Sequence, residues 1–376
     1  MGEPFKEKLN AQAVAAMADA IREAWPAFDA AGFQRDATTG LQDLELMDRV
    51  RHLAATLAAW LPSDFPHAVG ILLRAMGPPA DPAAPEASTR DAGGLSGFAM
   101  MAVTRFVAEQ GGAHVDVAFD AFHAMTGRFS AEFDVRPFLA ADPQRAWARL
   151  SAFARDPDPH VRRLASEGTR PFLPWGMRVP ALVADPEPGL ALLAGLKDDP
   201  SEYVRRSVAN HLNDVARTHR ARVCEVAPQW LVGATPERQK VVRHALRGLL
   251  RAADPGALRL LGFDPDVAVR VLDLAVPAAA RLGARMPFTF TVVHEGESGS
   301  PVILDYVLER PLARGKRGEK VFRIAQRNLA PGQRVDYATH HDFKAVTTRT
   351  DRPGDYGLTL RVNGRRAARA SFTVAG

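Results

Sequence analysis

The sequence predicts an all-α array of paired helices, residues 1–284, followed by a small all-β sandwich, residues 285–376. Three observations predict this class. The 376 residues exceed what one compact core usually holds, the first three quarters show helical periodicity, and the last quarter shows strand periodicity. The helical periodicity runs from Ala11 to about Leu261, for example at Leu44, Met47, Val50, Leu53, Leu57 and Leu61.

The helical part contains an internal repeat. Val161-Arg162-Arg163 recurs as Val204-Arg205-Arg206 and then, in a weaker copy, as Val242-Arg243-His244. Such a period of roughly 40 residues, with an Asp-Pro turn before an amphipathic helix, is typical of HEAT-like helical pairs stacked into a superhelix. Residues 77–95 are rich in Pro, Ala, Gly and Ser, and we expect a long mobile loop there.

The last quarter consists of short runs with strand periodicity. Six runs each predict a strand: FTFTVV, VILDYVL, KVFRIA, AVTTRT, YGLTLRV and ARASFTV. Asn363-Gly364, between the last two runs, tolerates the positive φ that a tight hairpin turn needs. About seven strands in about 90 residues indicate an antiparallel sandwich of immunoglobulin-like type, without the Cys and Trp marks of an antibody domain.

Composition excludes several classes of protein and of site. No stretch approaches the roughly 18 uninterrupted apolar residues of a membrane span, and the charged N-terminus does not fit a secretory signal. The single cysteine, Cys224, excludes an internal disulfide framework and a cysteine-based zinc site, and it suits a reducing cytoplasm. We therefore expect a cytoplasmic protein with no metal site and no membrane partner.

Positive charge is concentrated in the predicted sandwich. From Met286 to the C-terminus there are 15 Lys and Arg against 9 Asp and Glu, whereas the whole chain has a net charge of +5. This asymmetry favours a polyanionic partner, with nucleic acid ahead of a membrane surface. The basic segment RPLARGKRGEKVFRIAQR can also be no more than a charged hairpin loop.

Arginines and acids share one face of the helical repeat. Helical spacing turns Arg163 and Glu167 away from the buried stripe together, and Arg206 and Asp214 share a face in the second copy. A stacked row of Arg163, Arg206 and Arg243 can follow a phosphate backbone. Carboxylates inside such a row repel a polyanion, so they call for a chemical explanation. The alternative is a set of solvated helix pairs worth a few tenths of a kcal/mol each.

Several long segments resemble one known family. RFSAEFDVRPFL from Arg128, HVRRLASEGTRPFLPWG from His160, YVRRSVANHLND from Tyr203 and VVRHALRGLL from Val241 are similar to the AlkC branch of the HEAT-like DNA alkylation repair glycosylases. So are EPFKEKLN, AWPAFDAAGF and PGDYGLTLRVNG. The likeness covers nearly the whole chain, including an immunoglobulin-like C-terminal extension. It implies a monofunctional base excision repair enzyme that acts on alkylated double-stranded DNA, needs no cofactor or obligate protein partner, and works at the nucleoid.

The resemblance also implies a substrate and site residues. The expected reaction is hydrolysis of the N-glycosidic bond of 3-methyladenine and 3-methylcytosine. The family's acidic pocket residues correspond here to Glu132, Glu167 and Asp214, and its pocket tryptophan corresponds to Trp175. The sequence departs from the pattern at Phe172, where relatives often carry a basic residue, and at Phe153, where an indole is common. In the sandwich we expect phosphate or minor-groove contacts from Arg314, Lys316 and Arg317.

The chemistry of a cationic lesion fits this set of residues. A methylated, positively charged base leaves as a neutral molecule and needs no general acid, so the enzyme must stabilise an oxocarbenium-like sugar and hold a water. One ionised carboxylate about 4 Å from that cation is worth about 4 kcal/mol at an effective dielectric of about 20. We expect Glu167 to stabilise the sugar cation and to hold the water. We expect Asp214 and Glu132 to support the site or contact the base, and Trp175 to lie against the cationic base.

Each assignment has an alternative. Trp175 can be a core residue that closes a helix turn, Glu132 can pair with Arg128 or Arg136, and Asp214 can simply tie helices together. For the whole chain, two other classes remain open: a catalytically inactive HEAT-repeat DNA-binding protein and a HEAT scaffold for protein partners.

Overall fold

The computed structural model describes residues 4–81, 93–343 and 351–376. Most of the predicted loop 77–95 and the whole predicted strand AVTTRT lie outside the described residues. The chain forms two compact units. The first comprises Met1–Val223 and Trp230–Ala245, and the second comprises Cys224–Gln229 and Leu246–Gly376.

The N-terminal region is helical, as predicted. Two short 3₁₀ helices, Phe5–Lys8 and Leu41–Asp43, accompany the α-helices of the described residues. These are α1 (Ala11–Ala24), α2 (Ala30–Thr38), α3 (Leu46–Trp60), α4 (Phe65–Arg74), α5 (Ala99–Gln110), α6 (Val115–Met125), α7 (Arg136–Ala141), α8 (Pro143–Phe153), α9 (Pro159–Gly168), α10 (Pro180–Ala184), α11 (Glu187–Leu196), α12 (Glu202–Val215), α13 (Arg220–Leu231), α14 (Pro236–Ala245), α15 (Arg247–Arg251) and α16 (Pro255–Leu260). Within the described ranges, none is long and apolar enough to cross a bilayer.

Aspartate caps followed by proline start several of these helices. The side chain of Asp158 accepts a hydrogen bond from the backbone N–H of His160, and Pro159 stands in the first turn, where a missing N–H leaves no helical bond unmade. Asp64, Asp142 and Asp254 cap α4, α8 and α16 in the same way. The Asp-Pro turns read from the sequence are therefore helix starts.

The predicted repeat is confirmed in α9, α12 and α14. These helices pack in series, with α12 in contact with both of the others. The residues expected inside are buried, namely Val161, Leu164, Ala165 and Gly168 of α9 and Val204, Val208, Leu212 and Val215 of α12. The helical part is a HEAT-like array, the class that the spacing of the Val-Arg-Arg triplets indicates.

The first arginine of each Val-Arg-Arg triplet has a structural role. Arg162 donates from Nη1 to both carbonyls of the turn before α9, and Arg205 donates in the same way to the turn before α12. Arg162 also binds Asp199 through Nε and Nη2, at 2.6 and 3.0 Å, which ties one repeat to the next. The second arginines of the two triplets, Arg163 and Arg206, line a cavity.

The C-terminal region is a sandwich of two sheets. Its strands are β1 (Val269–Ala275), β2 (Ala279–Arg281), β3 (Arg285–His294), β4 (Ser300–Pro311), β5 (Arg317–Leu329), β6 (Arg334–Asp342), β7 (Gly354–Val362) and β8 (Arg365–Ala375). One sheet has the order β1-β3-β6 and the other β2-β8-β7-β4-β5, and the β2–β8 pair is parallel while the other pairs are antiparallel. Apolar side chains from both sheets, such as Phe288, Tyr306 and Leu358, form the core of this immunoglobulin-like domain.

The predicted hairpin turn at Asn363-Gly364 is confirmed. The two residues have φ of 43° and 84°, and Val362 pairs with Arg365 across the turn. The Asn363 side chain also accepts from the N–H of Ile303 at 2.7 Å, so the same residue shapes the turn and fastens it to β4.

Three observed strands, β1, β2 and β6, are absent from the prediction. The strand region therefore begins at Val269, before the predicted boundary at 285. The segment VRVLDLA of β1 follows directly on helical periodicity, and RVDYATHHD of β6 carries many polar residues. Neither has the run of β-branched and aromatic residues that marks a strand.

Candidate active site

Three carboxylates and two guanidinium groups form a continuous buried cluster beside α9. Arg163 donates from Nη1 to Oε2 of Glu132, and its Nη2 lies 3.7 Å from Oε1 of Glu167, one turn later on the helix. Arg170 donates from Nη1 to Oε1 of Glu167 at 2.5 Å and from Nε to Oδ2 of Asp214 at 2.9 Å. The groups of this acid–arginine cluster thus alternate in sign in the order Glu132, Arg163, Glu167, Arg170 and Asp214.

The acid–arginine cluster is shielded from solvent. The exposed fractions of its side chains lie between 5% for Asp214 and 17% for Arg163. Buried charges are tolerated only when they are paired and hydrogen-bonded, which the alternation achieves. The alternative of solvated surface pairs is therefore wrong for Arg163 and Glu167.

Arg136, at the start of α7, fixes the loop that follows α9. Its buried guanidinium donates from Nη1 to the carbonyls of Gly168 and Arg170, at 2.7 and 2.9 Å, and from Nε to the carbonyl of Met177 at 2.7 Å. Burial lowers the pKa of Arg136 to about 10, so the group remains a cation at neutral pH. Arg136 therefore holds in place the loop that carries Arg170 and Trp175.

Gly168 allows α9 to approach the segment that carries Glu132. A Cβ at Gly168 would lie 2.6 Å from Cγ2 of Val135. That separation is far below van der Waals contact, so a larger residue would displace the Val135 side chain or the segment that carries it.

The acid–arginine cluster borders a cavity of about 450 Å³. Glu132, Arg163, Glu167 and Arg170 lie in its wall, but Asp214 does not. Asp214 comes eight residues after Arg206, and over eight residues a helix rises about 12 Å and turns about 80° past two full revolutions. Arg206 therefore lies in the cavity wall, as does Asn210 one turn later, whereas Asp214 acts on the cavity through Arg170.

The two cavity glutamates have pKa values displaced in opposite directions. Burial raises the pKa of Glu132, and the Arg163 guanidinium only partly opposes this. Burial also acts to raise the pKa of Glu167, but the guanidiniums of Arg163 and Arg170, with a hydrogen bond from Ser207, hold the pKa below its ordinary value. The Ser207 hydroxyl donates to Oε2 of Glu167 at 2.6 Å. Glu167 is thus kept as an anion, while Glu132 takes up a proton more readily than an ordinary glutamate.

Trp175 stands exposed in the wall of the cavity. Its side chain is 58% exposed, and its backbone has a φ of 63°, which few residues other than glycine adopt. The alternative of a core residue at this position is therefore wrong. A strained backbone that presents an exposed indole to a cavity is the kind of outlier that marks a functional site.

The predicted row of basic side chains is only partly realised. Arg163 lies between two carboxylates, and its Cζ is 5.3 Å from the centre of the Tyr203 ring. Its guanidinium is thus engaged by the acid–arginine cluster, and a contact between Arg163 and DNA stays a prediction. Arg206 and Arg243 are exposed, and Arg206 lies in the cavity wall. Their contact with DNA stays a prediction.

The basic loop of the sandwich belongs to the second compact unit. Lys316 and Arg317 are exposed, and Arg317 donates from Nη2 to the carbonyl of Asp355 at 3.2 Å. The side chain of Arg314 lies outside the described residues. DNA contacts by these three residues also stay predictions.

The structure also shows the surroundings of Glu132 and of the two positions that depart from the family pattern, Phe172 and Phe153. Glu132 pairs with Arg163 rather than with Arg128 or Arg136. The guanidiniums of Arg217 and Arg178 lie against the Phe172 ring, with Cζ atoms 4.0 and 4.8 Å from its centre, so two neighbouring arginines supply positive charge beside Phe172. Phe153 is a buried core residue.

Sequence reasoning misses three members of the site, Arg170, Ser207 and Tyr203. Arg170 stands three residues after Glu167, a spacing that predicts contact on a helix, although α9 ends at Gly168. Ser207 is unpredictable from spacing, since its partner Glu167 lies 40 residues away. Tyr203 lines the cavity, and burial raises its pKa, so it stays a neutral phenol.

Comparison with known proteins supplies the context for this site. A family model described as the C-terminal Ig-like domain of the uncharacterised protein YhaZ matches residues 270–376. The uncharacterized protein YhaZ of Bacillus subtilis (strain 168) is 34% identical over 374 residues, covering 98% of this chain and 99% of YhaZ. The solved structure of the Pseudomonas fluorescens alkylpurine DNA glycosylase AlkC, bound to DNA containing an abasic site analog, matches with a TM-score of 0.91 and 33% identity over 100% of both chains. Because the helical repeats, the Ig-like domain and the full length of the sequence all match, the chain belongs to the AlkC family.

Proposed function

We propose that this protein is a monofunctional DNA glycosylase that removes cationic N3-alkylated bases, 3-methyladenine and 3-methylcytosine, from double-stranded DNA in the cytoplasm. One observation carries the proposal: the acid–arginine cluster holds three carboxylates against two guanidiniums, beside a cavity of about 450 Å³. With all five groups ionised the cluster has one negative charge in excess. A single positive charge, on a methylated base or on the sugar as the bond breaks, is its electrostatic complement.

Glu167 is suited to stabilise the developing sugar cation. The cation forms as the N-glycosidic bond breaks and its electrons move onto the base, which leaves neutral. Because Arg163, Arg170 and Ser207 hold the pKa of Glu167 low, its charge is present throughout the neutral range. At about 4 Å and an effective dielectric of about 20 such a charge is worth about 4 kcal/mol, or roughly a thousandfold in rate.

Glu132 is suited to accept the proton of the attacking water. A general base works best when its pKa approaches the working pH, and burial moves the pKa of Glu132 upward. Two carboxylates with displaced pKa values divide the work in this way in other hydrolases. Asp214, outside the cavity wall, orients Arg170, and Trp175 offers its π-face to the cationic base.

Release of free methylated base from methylated duplex DNA tests the proposal. Under single-turnover conditions we expect Glu167→Gln to lose roughly a thousandfold in rate. Glu187→Gln is the matched control, since Glu187 is also ion-paired, to Arg222, but is exposed and outside the cavity wall. Undiminished release by Glu167→Gln would contradict its role.

The same assay separates the other classes of function. An inactive DNA-binding protein would bind duplex with an affinity that falls steeply with salt, but the wild type would release no base. A scaffold for protein partners would show an affinity for DNA that is weak and nearly independent of which residues line the cavity.

A further inference from the structure

Two exposed aromatic rings contact each other beside the cavity. Phe5, in the N-terminal 3₁₀ helix, is 56% exposed, and its ring centre lies 6.0 Å from that of Trp175 at an interplanar angle of 74°. Only five large apolar side chains are exposed in the described part of the chain, and these two belong to that set. Exposed rings that cluster beside a cavity indicate an interaction site rather than a folding requirement.

Two further aromatic rings connect Phe5 to the cavity wall. The Phe5 ring stacks on Phe98, with centres 5.7 Å apart, and Phe98 contacts Phe129 at 5.2 Å. Phe129 and Trp175 both line the cavity. We call these four residues, Trp175, Phe5, Phe98 and Phe129, the aromatic rim.

The segment that carries Phe5 is held firmly. The buried Arg49 of α3 donates from Nη1 to the carbonyls of Lys6 and Leu9, at 2.7 and 2.9 Å. Lys6 in turn binds Glu45 at 2.7 Å. Phe5 is therefore presented on a fixed turn, so little conformational entropy is left to lose when a ligand covers it.

We propose that Phe5 is a further DNA-contacting residue: with Trp175 it forms an apolar edge that stacks against a nucleobase left unstacked beside the lesion in duplex DNA. This rests on the proposed function. Access to a base in a duplex requires loss of stacking, and apolar side chains that fill the opened step compensate for that loss. Every base has a π-face, so stacking on aromatic rings tolerates any flanking sequence.

The residues that share the cavity wall with the aromatic rim indicate which ligand covers it. Two residues of the aromatic rim, Phe129 and Trp175, share the cavity wall with Glu132 and Glu167, and with the exposed Arg206, which suits a phosphate. A single ligand that brings a cationic group, a phosphate and a flat apolar face to adjacent points is a damaged nucleotide with its neighbour.

Binding to a duplex that contains a tetrahydrofuran abasic site, with 2-aminopurine as the neighbouring base, tests this proposal. We expect Phe5→Ala to weaken binding roughly tenfold and to abolish the change in 2-aminopurine fluorescence on binding. Phe5→Leu keeps the apolar volume but not the ring and should behave as Phe5→Ala, whereas Phe5→Tyr should behave as wild type. The slope of log affinity against log salt should not change, since Phe5 meets no phosphate.

Val232→Ala is the matched control, because Val232 is 78% exposed and lies outside the cavity wall. Wild-type affinity and fluorescence in Phe5→Leu would overturn the proposal, since an apolar cover would then suffice. Self-association of the DNA-free protein that Phe5→Ala abolishes, with DNA binding intact, would overturn it in favour of a contact between two copies. If the wild type releases no methylated base while binding still depends on the Phe5 ring, the proposed function fails and the stacking contact stands.

Discussion

The Nη1 atom of Arg170 lies 2.5 Å from Oε1 of Glu167, and the same guanidinium reaches Asp214 through Nε at 2.9 Å. Arg170 therefore links Glu167, which faces the cavity, to Asp214, which does not. Because all three groups are buried, the charge state of Glu167 depends on a residue that is three positions away in sequence but beyond the end of the helix.

Arg170→Met is expected to destabilise the protein and to impair base release at lower pH. Removing one partner of a buried ion pair leaves an uncompensated charge and costs about 3 to 5 kcal/mol. The loss also removes one of the influences that lower the pKa of Glu167, so the acid limb of the rate profile should move to higher pH. Urea unfolding and single-turnover rates from pH 4 to 8 measure both effects.

Arg222→Met is the control for Arg170→Met. Arg222 binds Glu187 through Nε at 2.7 Å, but both side chains are well exposed, and exposed pairs contribute about 1 kcal/mol or less. Equal losses of stability in the two variants would show that burial of the acid–arginine cluster has no energetic consequence.

His211 makes the stability of the fold depend on pH between about 4 and 6.5. Its Nδ1 lies 2.9 Å from the Ser166 carbonyl, and burial lowers its pKa to about 4 from an ordinary 6.5. The unfolded chain therefore binds more protons than the folded one in this window, so the His211 contribution to stability rises with pH and is lost as pH falls through the window. The difference corresponds to about 3 kcal/mol. His211→Asn, which keeps a donor for the carbonyl, should remove this rise from the free energy of unfolding measured against pH.

The contribution of Asp134 to stability changes with pH in the direction opposite to that of His211, so an Asp134 variant provides a check on the His211 prediction. Burial raises its pKa to about 6 from 3.8, against the opposing charge of Arg105 and the hydrogen bond from Thr104. The folded state then binds more protons than the unfolded one, so this contribution to stability falls as pH rises between about 4 and 6. Relative to wild type, Asp134→Asn should steepen the rise with pH, and His211→Asn should reverse or flatten it. Parallel curves for both variants would contradict the assignment.

The sequence predicts the fold class, the buried stripes of α9 and α12 and the Asn363-Gly364 turn, because each depends on local periodicity or on one turn. It also predicts that Arg163 and Glu167 share a face, since they are one helical turn apart. It does not predict that Arg163 forms an ion pair with Glu132, 31 residues away, or that Ser207 donates a hydrogen bond to Glu167, 40 residues away. Such contacts depend on how neighbouring repeats pack, and helical spacing within one repeat carries no information about it.

Arg206 and Arg163 are expected to differ in how their loss affects DNA binding. Arg206 is exposed, so Arg206→Gln should lower the magnitude of the salt slope of binding by about 0.9, the value for one phosphate contact. Arg163→Gln should leave the slope unchanged but reduce base release, since its guanidinium binds Glu132 and Glu167. Binding measured between 50 and 200 mM salt separates the two roles, and a reduced slope in Arg163→Gln would show that Arg163 contacts a phosphate after all.

Variants of Trp175 distinguish the effect of its backbone conformation on stability from the effect of its ring on base release. Its φ of 63° strains any residue with a Cβ, and the left-handed conformation costs about 1 kcal/mol relative to glycine. Trp175→Gly and Trp175→Ala lose the same ring, so they differ in the strain and in the greater freedom that glycine gives the unfolded chain. We expect Trp175→Gly to be the more stable of the two in urea by up to about 1 kcal/mol, while both release methylated base poorly. Trp175→Phe should keep most of the activity, because it retains a π-face at the cavity. If the alanine variant is the more stable, the backbone at this position is relaxed, and the exposed indole is not maintained at a cost to the fold.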